Sequence, residues 1–160
     1  MRLFLGIDPG LSGGLAAITA DGLIQDIRPM PVAGGEIYPA ELAGWISGLR
    51  CFDPRVEVAR LVLEKVGAMP KQGVSSSFNF GCGWGMVRGV CAAMHVPVLL
   101  VTPPAWKKTV LAGLPHDKDG AVRYCATQWP TAQLVQPRCR VPHDGIADAL
   151  CLAEYGRRMP

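Results

Sequence analysis

The segment Arg2-Leu-Phe-Leu-Gly-Ile-Asp8 is an apolar run that ends on an acid, and Pro9-Gly10 follows it as a turn signal. Two further short runs follow at 14–19 and 23–29, with Ala20-Asp21-Gly22 between them as a hairpin turn. The beginning of the chain therefore predicts three strands in a meander, at 2–8, 14–19 and 23–29.

The rest of the chain alternates between helical and strand-like patterns. Helices are predicted at 39–50, 77–94, a short stretch from 103, 117–128 and 143–157, and strands at 58–66 and 97–101. Loops are predicted at 67–76 and 130–142. This order predicts an α/β fold whose five-stranded mixed sheet has three antiparallel strands, then two parallel ones, with helices on both faces.

Helix 77–94 is unusual because it contains four glycines: Gly81, Gly83, Gly85 and Gly89. Each costs a helix roughly 1 kcal/mol relative to Ala. Packing must offset this cost, so we expect the helix to approach either the sheet or a second subunit closely.

The composition is that of a globular chain of 160 residues, 49% hydrophobic, with mean hydropathy +0.22 and a formal net charge of +3. We expect one domain over 1–160. The six cysteines lack the C-x-x-C spacing of zinc or redox sites, which favours reduced thiols. With no signal-peptide pattern and no membrane-spanning apolar stretch, we expect a soluble, cytoplasmic protein.

Four acids carry the chemistry of the sequence. Asp8 and Glu64 end the first and fourth strands, and Asp144 and Asp148 lie four apart on one face of the last helix. If the two strands are adjacent, all four carboxylates meet at one sheet edge. Such a site favours Mg²⁺, with Mn²⁺ as a substitute. Two such ions about 4 Å apart support in-line phosphoryl displacement, so the pattern points to a nuclease.

Each acid also has an ordinary interpretation. Asp8 before Pro-Gly is a common turn residue, Glu64 a common end-of-strand acid, and Asp144 a common helix-start acid. Their joint occurrence is what favours a site. His143 has two interpretations as well: a helix cap, or a group that transfers a proton or contacts metal. Trp84, Trp106 and Phe78 are candidates for base stacking, although Trp84 has the spacing of a core residue.

The motifs Gly6-Ile-Asp8-Pro-Gly10 and Leu63-Glu64, the glycine-rich helix and His143-Asp-Gly-Ile-Ala-Asp-Ala-Leu150 together resemble the RuvC-like Holliday junction resolvases of the RNase H-like superfamily. The bacterial pattern spaces the last two acids three apart, whereas Asp144 and Asp148 are four apart. That spacing resembles the branch of chloroplast and phage-type resolvases. So do Lys71-Gln-Gly73, Phe78-Asn-Phe-Gly81 and Pro104-Ala-Trp-Lys107.

The resemblance implies a homodimer that binds four-way DNA junctions or branched DNA. Each subunit would nick one strand with two Mg²⁺ ions, leaving 5′-phosphate and 3′-hydroxyl ends. It implies that Asp8, Glu64, Asp144 and Asp148 are catalytic metal ligands and that helix 77–94 is the dimer element. Candidates for DNA contact are Lys71, Gln72, Lys107, Lys108 and Lys118, and candidates for the wedge at the junction centre are Met69 and Phe78.

Three alternatives remain open at the level of sequence. One is a broader nuclease for flaps, forks or branched replication DNA. Another is a fragment of an actin-like kinase, because Gly6-Ile-Asp8-Pro-Gly-Leu-Ser-Gly-Gly14 could cradle a phosphate; such kinases, however, need two related domains. The last is a non-catalytic junction-binding module, which would have no use for four mutually repelling acids.

Overall fold

The computed structural model describes residues 1–51, 55–67, 73–115, 117 and 119–160, with only the backbone of Cys51 included. Its elements in chain order are β1 Arg2–Asp8, β2 Gly14–Thr19, β3 Ile24–Pro29, β4 Val32–Ala33, β5 Glu36–Ile37, α1 Pro39–Cys51, β6 Glu57–Glu64, α2 Val74–Ala93, β7 Val98–Val101, α3 Pro103–Val110, α4 Gly120–Gln128 and α5 Asp144–Arg158.

The main sheet has five strands in the order β3-β2-β1-β6-β7. Strands β1, β2 and β3 pair antiparallel, and β6 and β7 join them in parallel. The hairpin between β2 and β3 turns at Gly22, whose φ of 84° favours glycine. The predicted mixed sheet is therefore confirmed, with its antiparallel and parallel parts as expected.

Alternating side chains of the sheet divide the core into two layers. On β1, Leu3, Leu5 and Ile7 pack in the layer that contains α1 and α2. Phe4 packs on the opposite side, in the layer that contains α3, α4 and α5. This period of two explains why the strand reads as continuously apolar, because both faces of the central strands are covered. Helices on both faces are thus confirmed.

Helix α5 packs directly on β1 and β2 because glycines remove the side chains between them. A Cβ on Gly6 would collide with the backbone of Ala149, and a Cβ on Gly14 would lie 2.6 Å from the carbonyl oxygen of Gly145. Gly13 also forms an isolated β-bridge with Gly145. These contacts bring the N-terminus of α5 to the end of β1.

The structure corrects several sequence boundaries. Helix α2 begins at Val74, within the segment predicted as loop, and β6 ends at Glu64 instead of residue 66. The two-stranded hairpin β4–β5 was not predicted. Its strands are two residues long, too short for a periodic pattern, and Gly34 and Gly35 turn it with positive φ.

The glycines of α2 do not serve approach to the sheet. Among the described residues, a Cβ on Gly81, Gly85 or Gly89 would meet no atom within 4 Å, and one on Gly83 would contact only the Ile37 side chain. The expectation of close approach to the sheet is therefore wrong for these positions. The alternative, approach of a second subunit, remains a prediction.

Two further expectations concern membranes and thiols. None of the described helices is long and apolar enough to cross a bilayer. Five cysteines have described side chains, and all five are free thiols: Cys82, Cys91, Cys125, Cys139 and Cys151.

Candidate active site

Two of the four acids lie side by side at one edge of the sheet. Asp8 is the last residue of β1 and Glu64 the last of β6, and the parallel register pairs Ile7 with Leu63 just before them. The turn after β1 orients Asp8, because the backbone N–H of Gly10 donates to its Oδ1 at 3.2 Å. Both side chains are half-buried.

The other two acids come from the beginning of α5. Asp144 is its exposed first residue, and Asp148 lies one turn further on and is half-buried. His143 is the N-cap, since its Nδ1 accepts from the N–H of Ile146 at 3.2 Å. The capping interpretation of His143 is therefore confirmed, whereas its part in proton transfer or metal contact stays a prediction.

The four acids act on one another electrostatically. Burial raises the pKa of Asp148 to about 7, and the charge of Asp8 adds to the rise. Glu64 and Asp144 contribute to it as well, while Lys107 opposes it. Burial likewise raises the pKa of Asp8 to about 6; the hydrogen bond from Gly10 opposes this, and the charges of Glu64 and Asp144 add to it.

The cluster fits a hard divalent cation in its chemistry. All four groups offer carboxylate oxygens, which Mg²⁺ and Mn²⁺ prefer. Burial is the main cause of the raised pKa values of Asp8 and Asp148, and a bound cation would favour the ionised form of both carboxyls. Within the described part of the chain, however, no three His, Cys, Asp or Glu side chains are arranged as a metal-ligand set. Binding a cation therefore requires the side chains to adjust.

Glu64 has two partners that the sequence did not predict. The indole N–H of Trp106 donates to its Oε1 at 2.8 Å, and the indole N–H of Trp84 donates to its backbone carbonyl at 3.0 Å. Trp106 is fully buried, so its proposed role in base stacking is wrong. A buried indole needs an acceptor, but no pattern in the sequence indicates which residue accepts.

The predicted DNA contacts are only partly within the described residues. Lys107 is half-buried beside the acids, with its ammonium 5.3 Å from the centre of the Trp106 ring, while Lys108 is exposed. Phe78 is 69% exposed on α2. Four candidates lie outside the described residues: Met69, Lys71, Gln72 and Lys118.

The fold is similar to that of solved junction-resolving proteins. The structure of T. thermophilus RuvC in complex with a Holliday junction substrate has a TM-score of 0.66 at 17% identity, covering 97% of this chain and 92% of that one. A second Thermus thermophilus RuvC structure has a TM-score of 0.62 at 20% identity, covering 96% and 92%. Yeast mitochondrial Holliday junction resolvase Ydc2 has a TM-score of 0.51 at 15% identity, covering 96% and 77%.

These likenesses show that the chain has the RuvC-type, RNase H-like fold. No protein-family model and no curated protein sequence matches the chain.

Proposed function

We propose that this protein is a Holliday junction resolvase, a metal-dependent endonuclease that cuts four-way DNA junctions by symmetric paired nicks. One observation carries the proposal: Asp148 on α5 interacts electrostatically with the three other acids, which come from β1, β6 and α5, in a protein whose fold is similar to that of RuvC. The likeness to a RuvC structure that contains a Holliday junction supports junction DNA as the substrate class. The spacing of four between Asp144 and Asp148 supports the chloroplast and phage-type branch.

In the proposed chemistry, all four acids are metal ligands. Asp8, Glu64, Asp144 and Asp148 would hold two Mg²⁺ ions, which when bound activate water and neutralise the leaving 3′ oxygen. Asp8 and Glu64 lie at strand ends and accept hydrogen bonds from Gly10 and Trp106, so they would supply the more rigid half of the site. Asp144 is exposed, which suits a group that meets the DNA backbone.

His143 is the candidate for proton transfer at the edge of this site. Because Nδ1 accepts the helix-capping hydrogen bond, Nε2 carries the proton of the neutral ring and would donate a hydrogen bond to a water or a phosphate oxygen. A proton taken up by the ring would go to Nδ1 and break the capping bond. The products of the proposed reaction are 5′-phosphate and 3′-hydroxyl ends.

A homodimer would account for paired nicks, and α2 offers a surface for it. Gly81, Gly85 and Gly89 leave open space on its outer side, where Phe78 and Val74 are also exposed. Small residues at a spacing of four let two helices approach closely. Phe78 and Met69 remain our candidates for the junction wedge.

The surface for the DNA backbone is proposed around the acids. Lys107 and Lys108 at the end of α3, together with Lys71, Gln72 and Lys118, would contact phosphates or bases. Their cations would offset the charge that the acids place near the DNA.

The test is an Mg²⁺-dependent cleavage assay on a mobile four-way junction, with mapping of the cut ends. We expect paired symmetric nicks, and far slower cutting of a flap and of plain duplex. Comparable cutting of all three substrates would indicate a broader structure-selective nuclease instead.

The Asp148→Asn variant tests the site assignment. We expect it to keep junction binding in a gel-shift assay and to lose cleavage by at least roughly 100-fold, since ligand loss should remove most of the metal-assisted rate. Asp119→Asn is the matched control, because Asp119 is an exposed acid at the start of α4. Cleavage by Asp148→Asn at the rate of the control would refute the assignment.

A further inference from the structure

The chain has four tryptophans, and two of them donate to the same residue. The indole N–H groups of Trp106 and Trp84 both end on Glu64, on its carboxylate and on its backbone carbonyl. The other two serve unrelated acceptors: Trp45 donates to Asp26 at 2.7 Å, and Trp129 donates to the carbonyl of Gly22 at 2.7 Å.

The two indoles reach Glu64 from opposite faces of the sheet. Trp106, on α3, is fully buried in the core layer of α3, α4 and α5. Trp84, on α2, packs against the layer of α1 and α2, where the guanidinium of Arg88 lies 4.7 Å from its ring centre. Trp106 therefore restrains the side chain of Glu64 from one face of the sheet, and Trp84 restrains its main chain from the other face.

This arrangement restricts a side chain that would otherwise move freely at a strand end. A glutamate carboxylate has about four acceptor positions, and the bond from Trp106 to Oε1 uses one of them. A hydrogen bond to a charged acceptor is stronger than one between neutral groups. Among the described residues, the side chain of Glu64 is thus held through Oε1, and no hydrogen bond to Oε2 is seen.

We propose that Trp106 and Trp84 are positioning residues that hold Glu64 ready to ligate a divalent cation, Trp106 through the carboxylate and Trp84 through the main chain. The inference rests on the proposed function, because it takes Glu64 to be a metal ligand. Neither tryptophan contacts the reacting atoms in this scheme.

The test compares Mg²⁺ binding by isothermal calorimetry in the wild type, Trp106→Phe and Trp129→Phe. Phe keeps most of the buried ring and removes the N–H donor. We expect Trp106→Phe to weaken Mg²⁺ affinity roughly 2- to 10-fold, the loss of one hydrogen bond. Trp129→Phe removes a similar buried indole bond elsewhere, so it should lower Tm and leave Mg²⁺ affinity unchanged.

For Trp84→Phe, we expect an effect on Mg²⁺ affinity between those of Trp106→Phe and Trp129→Phe. This substitution frees the carbonyl of Glu64 but leaves the carboxylate bound, so its effect on Mg²⁺ affinity should be smaller than that of Trp106→Phe. Equal Mg²⁺ affinity in Trp106→Phe and Trp129→Phe, with lowered Tm in both, would overturn the inference and leave the tryptophans as core residues only.

A measurement on the wild-type protein covers the case in which Trp106→Phe does not fold. The ¹H–¹⁵N spectrum of the protein contains four indole signals, assigned with the Phe variants that do fold. Titration with Mg²⁺ should shift the signal of Trp106 most, Trp84 less, and those of Trp45 and Trp129 least. An unmoved Trp106 signal at saturating Mg²⁺ would contradict the inference.

The two proposals fail differently. A wild-type protein that binds no Mg²⁺ and cuts no junction contradicts the proposed function. A wild-type protein that does both, with a Trp106→Phe variant of unchanged Mg²⁺ affinity, contradicts the positioning role alone.

Discussion

At Asp148, burial in the folded protein disfavours the ionised carboxylate that metal binding would require. Its carboxylate is half-buried on α5, and burial together with the charge of Asp8 raises its pKa to about 7. An acid in this state is costly to keep ionised in the folded protein. A bound cation removes that cost, which gives a physical reason to expect the metal to stabilise the fold.

The sign of the pH dependence follows from the raised pKa of Asp148. Between its usual value of 3.8 and about 7, the folded protein holds a proton that the unfolded chain has lost. The free energy of unfolding of the metal-free protein therefore falls as pH rises through this window. In a chelator, we expect Tm to be lower at pH 8 than at pH 5, and Mg²⁺ to raise it at pH 8.

Asp148→Asn should reduce this pH dependence to the part that the raised pKa of Asp8 contributes, and stabilise the metal-free protein at pH 8 by on the order of 1–4 kcal/mol. Thermal unfolding at pH 5 and pH 8 in the presence of EDTA measures both effects. Asp119→Asn serves again as the control and should behave like the wild type. A pH dependence that is identical in Asp148→Asn and the wild type would show that Asp148 does not carry it.

Among the helices, α2 has a glycine content that packing within a single chain does not explain. Its outer glycines lower helix propensity without allowing a close contact to any described residue, because a Cβ at Gly81, Gly85 or Gly89 would meet none of their atoms within 4 Å. A second copy of the helix is our explanation for what occupies that space.

Gly85→Leu tests this explanation. Within one chain, leucine has room and should favour the helix by roughly 1 kcal/mol. At a tightly packed dimer interface it should instead cost about 1–3 kcal/mol, or roughly 5- to 100-fold in dimer affinity. Circular dichroism should therefore show a more stable helix, and sedimentation equilibrium should show a weaker dimer.

Gly44→Leu is the matched control, since Gly44 on α1 also faces open space. It should leave the oligomeric state unchanged. A Gly85→Leu protein that dimerises as tightly as the Gly44→Leu protein would exclude α2 as the dimer element.

For the whole molecule, the net charge of +3 does not show how the positive and negative charges are distributed. Thirteen acids oppose sixteen lysines and arginines, and four of those acids belong to the candidate site. The remaining surface is therefore more basic than the total indicates, which suits a polyanionic partner around an acidic centre.

We expect junction binding to weaken steeply with salt, because each phosphate neutralised by a cation releases counterions. The slope of log K against log salt should be about −0.9 per phosphate contact. Gel-shift titrations with Asp148→Asn avoid cleavage during the measurement. Replacing Lys107 and Lys108 with Ala should reduce the slope by about 2, and binding that is indifferent to salt would contradict the proposed DNA surface.

Sequence patterns alone predicted the order of the main-sheet strands and the helices, and the class of the sheet. Each signal is local: apolar runs in β1 and β2, Asp21-Gly22 at a turn, and helical spacing in α1. Such patterns arise because each element buries one face or both faces, so the spacing of its apolar residues matches the period of the helix or strand. The candidate acids were also visible, because carboxylates at strand ends and on one face of a helix are poor core material.

Only the tertiary structure decided which distant residues meet. Asp8 and Asp148 interact across most of the chain, and the indole of Trp106 bonds Glu64 across 42 residues. The open glycines of α2 and the β4–β5 hairpin were likewise decided by packing. The physical reason is that periodicity records whether a residue is buried, whereas its hydrogen-bond partner depends on how whole elements are placed against one another.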